Sequence, residues 1–168
     1  RAQGPLDGVA ADLRAEGITA VARPLDVSDE AQIPGFVDWA VGQLGGLDIV
    51  VSNVSAGASA ARTQWGASFA SDLLGFVRLV EASTPYLERS DAASIVAIAS
   101  TSGFDTLPPA RPNSYAAFKA AVIQHASSLG RALPAQGIRV NTVSPGPIYF
   151  AGGPWERLVR DEPERAIP

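Results

Sequence analysis

The chain contains the stretch Ser94-Ile95-Val96-Ala97-Ile98-Ala99-Ser100-Thr101-Ser102-Gly103, an apolar run that ends in hydroxyl side chains and a glycine. The run is rich in β-branched residues and lacks the polar alternation of a strand with one face in water. Near-continuous apolar strands are typical of parallel sheets that helices cover on both faces. The stretch therefore predicts a buried parallel strand that ends in a polar turn at Ser100.

Two similar strand ends lie on either side of this stretch in the sequence. They read Leu47-Asp48-Ile49-Val50-Val51-Ser52-Asn53 and Arg139-Val140-Asn141-Thr142-Val143-Ser144-Pro145-Gly146. Residues 64–87 and 114–133, which separate the three strands, carry apolar side chains at helical spacing. This alternation predicts an α/β domain with a mainly parallel sheet, whose strands end at one common edge.

The first part of the chain continues the same alternation. Residues 3–16 and 33–44 carry apolar stripes at helical spacing, and Gly17 is placed to end the first helix. Residues 18–27 lie between these helices and are predicted to form a strand. No linker divides the pattern, so residues 1–168 are predicted to form one domain. The stripe of the first helix consists of Leu6, Val9, Ala10 and Leu13.

Composition excludes several classes of function. The 168 residues are 46% hydrophobic and carry a net charge of −4, which suits one domain with a core. The 13 Lys and Arg residues are scattered, so no nucleic-acid partner is expected. No apolar stretch reaches the roughly 18–20 residues that span a membrane. Without cysteine, and with the single histidine His125, no metal site is expected. His125 is predicted to pack or to lie at the surface.

Chemistry is indicated by Tyr115-Ala116-Ala117-Phe118-Lys119. Residues four apart lie on one face of a helix, so the Tyr115 hydroxyl and the Lys119 ammonium can share a site. By itself this spacing also fits a half-buried tyrosine beside a solvated lysine. The three strand ends around it favour the first interpretation.

Taken in this order, the strand ends and the Tyr115–Lys119 pair resemble the short-chain dehydrogenase/reductase family over nearly the whole chain. The resemblance implies a doubly wound parallel sheet of the Rossmann type, present here in part. It also implies an oxidoreductase that uses NAD or NADP to interconvert a hydroxyl and a carbonyl group by hydride transfer. A small-molecule alcohol or carbonyl compound would be the substrate.

The resemblance assigns the catalytic roles. Tyr115 would exchange the proton with the substrate oxygen, and Ser100 would hydrogen-bond that oxygen. Lys119 would hold the ribose hydroxyls of the cofactor and favour the ionised phenol. Counting back from Tyr115 would select Ser102 instead, but Ser100 is preferred because the strand end sets its position and a loop absorbs extra residues.

The energetics of the Tyr–Lys pair are consistent with these roles. A free tyrosine ionises near pH 10, and bringing it to about 7 requires roughly 4 kcal/mol. A cation roughly 4–5 Å away supplies some 3–4 kcal/mol at an effective dielectric of about 20. The pair can therefore act as a general acid and base without a histidine.

Three segments would contact the cofactor according to the resemblance. Leu25-Asp26-Val27 matches the segment beside the adenine, Asn53 and its neighbours lie behind the cofactor, and Pro145 to Ile148 would reach the nicotinamide. The cofactor-binding residues that it implies are Asp26, Val27, Asn53, Val54, Ser55, Tyr115, Lys119, Pro145, Gly146 and Ile148.

Three departures from the family pattern matter, and one of them is the loop between Ser100 and Tyr115, which is about two residues longer than usual. The sequence contains no glycine-rich phosphate loop and opens Arg1-Ala2-Gln3 without methionine, so it is expected to be part of a longer protein and to hold cofactor poorly alone. Asp72 stands where the family has an active-site asparagine that supports a water leading to the lysine. Asp72 could accept from that water while adding a negative charge near Lys119, or it could be an ordinary helix carboxylate.

Two further expectations follow from the family. The helices over 64–87 and 114–133 would form a homodimer or homotetramer, and the protein would be cytoplasmic and not membrane-bound. The alternative is a truncated, non-catalytic relative that acts as a scaffold or interaction protein. The missing phosphate loop and Asp72 favour that alternative, whereas the Ser100, Tyr115 and Lys119 set opposes it.

Overall fold

The chain folds around a small parallel sheet. The structure is a computed structural model, and it describes residues 3–56, 64–106, 113–161 and 163. The strands are β1 (Ile49–Ser52), β2 (Ser94–Ile98) and β3 (Arg139–Val143), in the spatial order β1-β2-β3. Both pairs are parallel, and Ser94 stands opposite Ile49 on one side and Arg139 on the other. The parallel α/β fold predicted from the sequence is confirmed.

Helices connect and flank these strands. Two 3₁₀ turns, at Thr101–Gly103 and Leu133–Gln136, follow β2 and the helix over residues 114–132. The predicted helices over residues 3–16, 33–44 and 114–133 are confirmed within one or two residues at each end. The α-helices of the described residues are α1 (Gln3–Ala15), α2 (Gln32–Leu44), α3 (Trp65–Ser68), α4 (Gly75–Leu87), α5 (Ser114–Ala132) and α6 (Pro154–Asp161).

The core lies where α4 and α5 pack against the sheet. In β1, Val50 is buried, whereas its neighbours Ile49 and Val51 are 59% and 57% exposed. Only the central strand β2 is enclosed, with Ile95 and Ala97 fully buried. Helices thus cover mainly one face of the outer strands, and the doubly wound arrangement is partial. The core consists of Val50, Phe76, Val80, Leu87, Ala93, Ile95, Ala97, Ala99, Val122, Ala126, Leu133 and Ile138.

The strand predicted over residues 18–27 is wrong. Residues 18–26 have no regular secondary structure, and Ile18 is 49% exposed. A strand exists only where a neighbour pairs with its backbone groups, and no described segment lies beside this one as a strand. Of the apolar stripe of α1, Ala10 is buried, whereas Val9 and Leu13 are 60% and 37% exposed.

The helix predicted over residues 64–87 is interrupted. Between α3 and α4, Phe69–Leu74 forms a π-helical turn, and α4 contains Pro85 and ends at Leu87. Gly75, at the start of α4, allows Val27 to approach: a Cβ at this glycine would stand 3.0 Å from the Val27 carbonyl oxygen. Single π-turns in α-helices are frequently found at functional sites.

Gly103 brings the turn after β2 against α5. A Cβ at this position would stand 2.9 Å from the Ala120 nitrogen and 3.0 Å from the Lys119 carbonyl carbon. Because helix backbone cannot yield easily, Gly103→Ala is expected to lower the free energy of unfolding by about 1–3 kcal/mol in urea titrations. Gly42→Ala, on α2 with nothing within 4 Å, is the control and should raise it by roughly 0.5–1 kcal/mol. Equal effects of the two substitutions would contradict the close contact.

Candidate active site

The segments that follow the three strands meet at the carboxyl edge of the sheet, as the sequence predicts. The Thr101 backbone N–H donates to the Pro145 carbonyl oxygen at 3.1 Å, which joins the ends of β2 and β3. The Ala56 backbone N–H, after β1, donates to Asp72 Oδ2 at 3.0 Å. These bonds join the turn after β2 to the turn after β3, and the segment after β1 to the π-turn.

Ser100 and Ser102 occupy different environments in the turn after β2. Ser100 is 6% exposed, and its Oγ caps the 3₁₀ turn by accepting from the Ser102 backbone N–H at 3.2 Å. That bond uses a lone pair and leaves the hydroxyl proton able to be donated elsewhere. The Ser102 side chain is exposed. The strand end therefore orients the Ser100 hydroxyl, whereas Ser102 points into solvent.

The first turn of α5 is held at two points. The Asn113 side chain caps the helix by accepting from the Ala116 backbone N–H at 3.4 Å. Ser114, immediately before Tyr115, has its Oγ 3.1 Å from Ser68 Oγ, and both serines are fully buried. These contacts fix the helical turn on which Tyr115 stands.

Lys119 lies one helical turn after Tyr115 and on the same face, as predicted. It is 3% exposed, and its Nζ donates to the Ile98 carbonyl oxygen at the end of β2, at 2.9 Å. The Nζ stands 5.6 Å from the centroid of the half-buried Tyr115 ring. The phenol and the ammonium therefore share one site beside the strand that leads to Ser100.

Asp72 reaches the same lysine from the π-turn. Its Oδ1 stands 3.6 Å from Lys119 Nζ, and the two side chains are 0% and 4% exposed. Oδ2 accepts from Ala56, whereas Oδ1 has no hydrogen-bond partner among the described residues. Asp72 is thus buried beside Lys119, and the interpretation as an ordinary helix carboxylate is wrong.

Burial and the Asp72 carboxylate shift the pKa of Lys119 in opposite directions. Removal from water lowers the pKa of the Lys119 ammonium below its ordinary value of 10.5, and this effect is the larger one. The negative charge of Asp72 raises that pKa and partly offsets the burial. The charge state of Lys119 therefore depends on its neighbour.

Two of the predicted cofactor-binding segments line the edge beside these residues. The side chains after β1 are exposed, and those after β3 are half-buried at Pro145 and exposed beyond it. The turn after β3 is tied to the turn after β2, where a Cβ at Gly146 would stand 3.8 Å from Thr101 Cγ2. The exposed residues are Asn53, Val54, Ser55, Gly146 and Ile148.

The third segment, Asp26 and Val27, lies beside α4. The exposed Asp26 carboxylate accepts from the Ser28 backbone N–H at 3.0 Å and from Ser28 Oγ at 2.6 Å. These hydrogen bonds lower the pKa of Asp26, because they stabilise its charged form. Val27 packs against Gly75, three residues beyond Asp72. The Asp26 carboxylate is therefore hydrogen-bonded within its own turn, to Ser28.

No sequence pattern indicates that Ser68 or Ala56 belongs to this site. The Ser68 hydroxyl is hydrogen-bonded to Ser114 at the start of α5, and the Ala56 backbone N–H donates to Asp72. No proline or glycine within residues 69–74 signals the π-turn that carries Asp72. Such contacts depend on packing between segments distant in sequence, so no local pattern could have indicated them.

Other residues lie away from the site. His125 packs edge-on against Phe76, with ring centroids 5.8 Å apart, as predicted for a packing histidine. Among the described residues, no group of acidic or histidine side chains could hold a metal ion, and no helix is long and apolar enough to span a membrane. Most of the proline-rich stretch of residues 103–112 lies outside the described residues, as do residues 57–63.

The chain matches a known protein family and several curated proteins. A family model described as short chain dehydrogenase matches residues 1–152. Among curated proteins, isoepoxydon dehydrogenase of Penicillium expansum is 42% identical over 155 residues, which cover 89% of this chain and 59% of that protein. An uncharacterized oxidoreductase of Bacillus subtilis is 35% identical over 82% of this chain and 46% of its own length. The chain spans less than two thirds of these relatives.

Solved structures have the same fold. NAD⁺-bound xylitol dehydrogenase matches with a TM-score of 0.81 and 26% identity, covering 94% of this chain and 62% of that one. A short-chain dehydrogenase/reductase from Burkholderia xenovorans matches with a TM-score of 0.80 and 30% identity, covering 98% and 68%. The sheet and helices described above therefore correspond to part of a Rossmann-like fold.

Proposed function

The chain belongs to the short chain dehydrogenase family, and on that basis we propose that it forms the catalytic part of an NAD(P)-dependent oxidoreductase. The reaction interconverts a hydroxyl and a carbonyl group by hydride transfer. The observation that carries this proposal is the buried Lys119 ammonium, 5.6 Å from the Tyr115 ring, at the strand edge that also holds Ser100.

Tyr115 is the general acid and base of this proposal. Its ring is half-buried at the start of α5, and the capped, serine-bridged first turn holds it in place. The phenol passes its proton to a carbonyl oxygen in reduction and removes the proton of a hydroxyl in oxidation. Lys119 assists because a nearby cation stabilises the phenolate.

Ser100 orients the substrate. Its buried hydroxyl accepts from the Ser102 backbone and can donate its own proton to a substrate oxygen. A donor aimed at the oxygen on which negative charge develops stabilises the transition state more than the ground state. Ser100 and Tyr115 would then contact the same substrate oxygen.

The residues present fit the nicotinamide and ribose end of a dinucleotide. Lys119 has three N–H donors and uses one of them on Ile98, so donors remain for ribose hydroxyls. The exposed segments Asn53–Ser55 and Pro145–Ile148 would hold the ring and ribose. When bound, the cofactor supplies or accepts the hydride. Asp26 and Val27 would adjoin the adenine, and NAD or NADP would be used.

The substrate is a small alcohol or carbonyl compound. The curated relative from Penicillium expansum is named for isoepoxydon, which makes isoepoxydon a first compound to assay.

We infer that the protein is a homodimer or homotetramer formed through residues 64–87 and 114–133. Support comes from aromatic rings on that flank: Trp65 and Phe69, 49% and 45% exposed, both pack against Phe118.

Paired serine substitutions test the catalytic assignment. In the complete protein, Ser100→Ala is expected to lower kcat/KM by about 10²–10³-fold, because a donor to the reacting oxygen is lost. Ser102→Ala keeps the backbone N–H that orients Ser100 and should change kcat/KM by no more than about threefold. Turnover is followed through the absorbance of the reduced nicotinamide. The reverse pattern would move the role to Ser102, and no turnover with any alcohol or ketone would favour a non-catalytic scaffold.

A further inference from the structure

We propose that Asp72 is the counter-ion that keeps Lys119 in its ammonium form inside the site and so sets the alkaline limit of activity. The statement about activity rests on the proposed function, whereas the statement about the lysine does not. It concerns a carboxylate at a position where the family pattern has a neutral amide.

The geometry makes Asp72 the partner of a buried cation. An ammonium removed from water loses its proton unless a negative charge or strong acceptors compensate the lost hydration. Lys119 has the Ile98 carbonyl as an acceptor, and Asp72 Oδ1 stands 3.6 Å from its Nζ. The two side chains are 4% and 0% exposed, so water screens this attraction little.

The orientation of the carboxylate is set by its second oxygen. Oδ2 accepts from the Ala56 backbone N–H, which leaves Oδ1 facing the lysine. Oδ1 has no hydrogen-bond partner among the described residues, so the ammonium is the group that compensates its burial. A neutral side chain at residue 72 could still accept from the Ala56 backbone N–H, but it would place no negative charge beside Lys119.

Three groups face Lys119 in the described part of the chain. The π-turn contributes Asp72, α5 contributes the Tyr115 phenol, and β2 contributes the Ile98 carbonyl. No other described carboxylate lies within ion-pair distance of Lys119. Asp72 is therefore the one described anion able to hold the charge on this amine at neutral pH.

The composition supports the assignment independently. Lys119 is the single lysine of the sequence, and the other 12 basic residues of the Lys and Arg count are arginines. A guanidinium stays charged at any pH a protein experiences, whereas a lysine loses its proton readily when buried. The one lysine of the sequence thus lies beside a buried carboxylate.

The titration of Lys119 allows a direct test on the complete protein. With ¹³C-labelled lysine, the Cε resonance that is absent from a Lys119→Arg variant reports Lys119. Asp72→Asn is expected to move its titration midpoint down by one pH unit or more, about a tenfold fall in the ratio of protonated to neutral amine at fixed pH. Glu81→Gln, which removes an exposed carboxylate paired with Arg78, should leave the midpoint unchanged.

The unsubstituted protein provides a second measurement if Asp72→Asn does not fold, which circular dichroism would show. The proposal requires its Lys119 to be protonated at pH 8, so a neutral amine there would overturn it. Equal midpoints in the unsubstituted protein and a folded Asp72→Asn variant would also overturn it.

Kinetics separate this inference from the proposed function. In the complete enzyme, the pH above which kcat/KM falls is expected to be about one unit lower in Asp72→Asn than in the unsubstituted enzyme. A shifted amine titration in a protein without turnover would refute the function and support the counter-ion. Turnover that needs Tyr115, with an amine titration independent of Asp72, would refute the counter-ion alone.

Discussion

Tyr115→Phe is expected to lower kcat/KM of the complete enzyme by about 10³–10⁴-fold, the upper range for a positioned general acid and base. The substitution removes one hydroxyl and retains the ring, which stands 5.6 Å from Lys119 Nζ. Neither the cap at Asn113 nor the bridge between Ser68 and Ser114 involves that hydroxyl. The loss should therefore appear in kcat, with thermal stability little changed.

Tyr86→Phe is the matched control for this substitution. Tyr86 lies on α4, and its exposed hydroxyl donates to Asp38 Oδ1 at 2.6 Å. Removing that hydroxyl deletes an exposed hydrogen bond outside the site, so kcat/KM should stay within about twofold. If Tyr115→Phe retained more than a tenth of the activity, the general acid would have to be another residue.

Lys119→Met is expected to lower the free energy of unfolding by about 3–5 kcal/mol at pH 7. The substitution leaves Asp72 buried without its counter-ion, with only the Ala56 N–H on its second oxygen. Removing one partner of a buried pair destabilises more than removing both, because the remaining charge keeps its desolvation penalty. Urea unfolding at fixed pH measures the difference.

The double variant Lys119→Met with Asp72→Asn distinguishes charge from packing. It removes both charges and should recover most of the stability lost in the single variant. Arg78→Met is the surface comparison: its pair with Glu30 is 43% and 49% exposed, so this substitution should leave the free energy of unfolding nearly unchanged. A double variant no more stable than Lys119→Met would show that the lysine stem, and not its charge, supports the fold.

Much of the sheet could be predicted from the sequence because its signals are local. The apolar run at residues 94–98 is a strand wherever it finds neighbours, and the segments before and after it provided them. Tyr115 and Lys119 share a face because four residues make about one helical turn, whatever surrounds the helix. The convergence of the strand ends follows from parallel topology, so the edge that holds the site could also be predicted.

Residues 18–27 show where local pattern is insufficient. Their apolar alternation resembles a strand, but a strand requires backbone partners, and the described chain offers none beside them. In the stripe of α1, Val9 and Leu13 likewise remain 60% and 37% exposed. Strand pairing depends on two segments, so the pattern of one segment alone cannot predict it.

The sequence by itself determined the parallel strands, the helical pairing of Tyr115 with Lys119 and the edge at which they lie. Only the tertiary structure decided that Ser100 is buried while Ser102 is exposed, that residues 69–74 form a π-turn, and that Asp72 faces Lys119. Periodicity acts between neighbours in the chain, whereas burial and ion pairing are set by segments 47 residues apart that meet when the helices pack on the sheet.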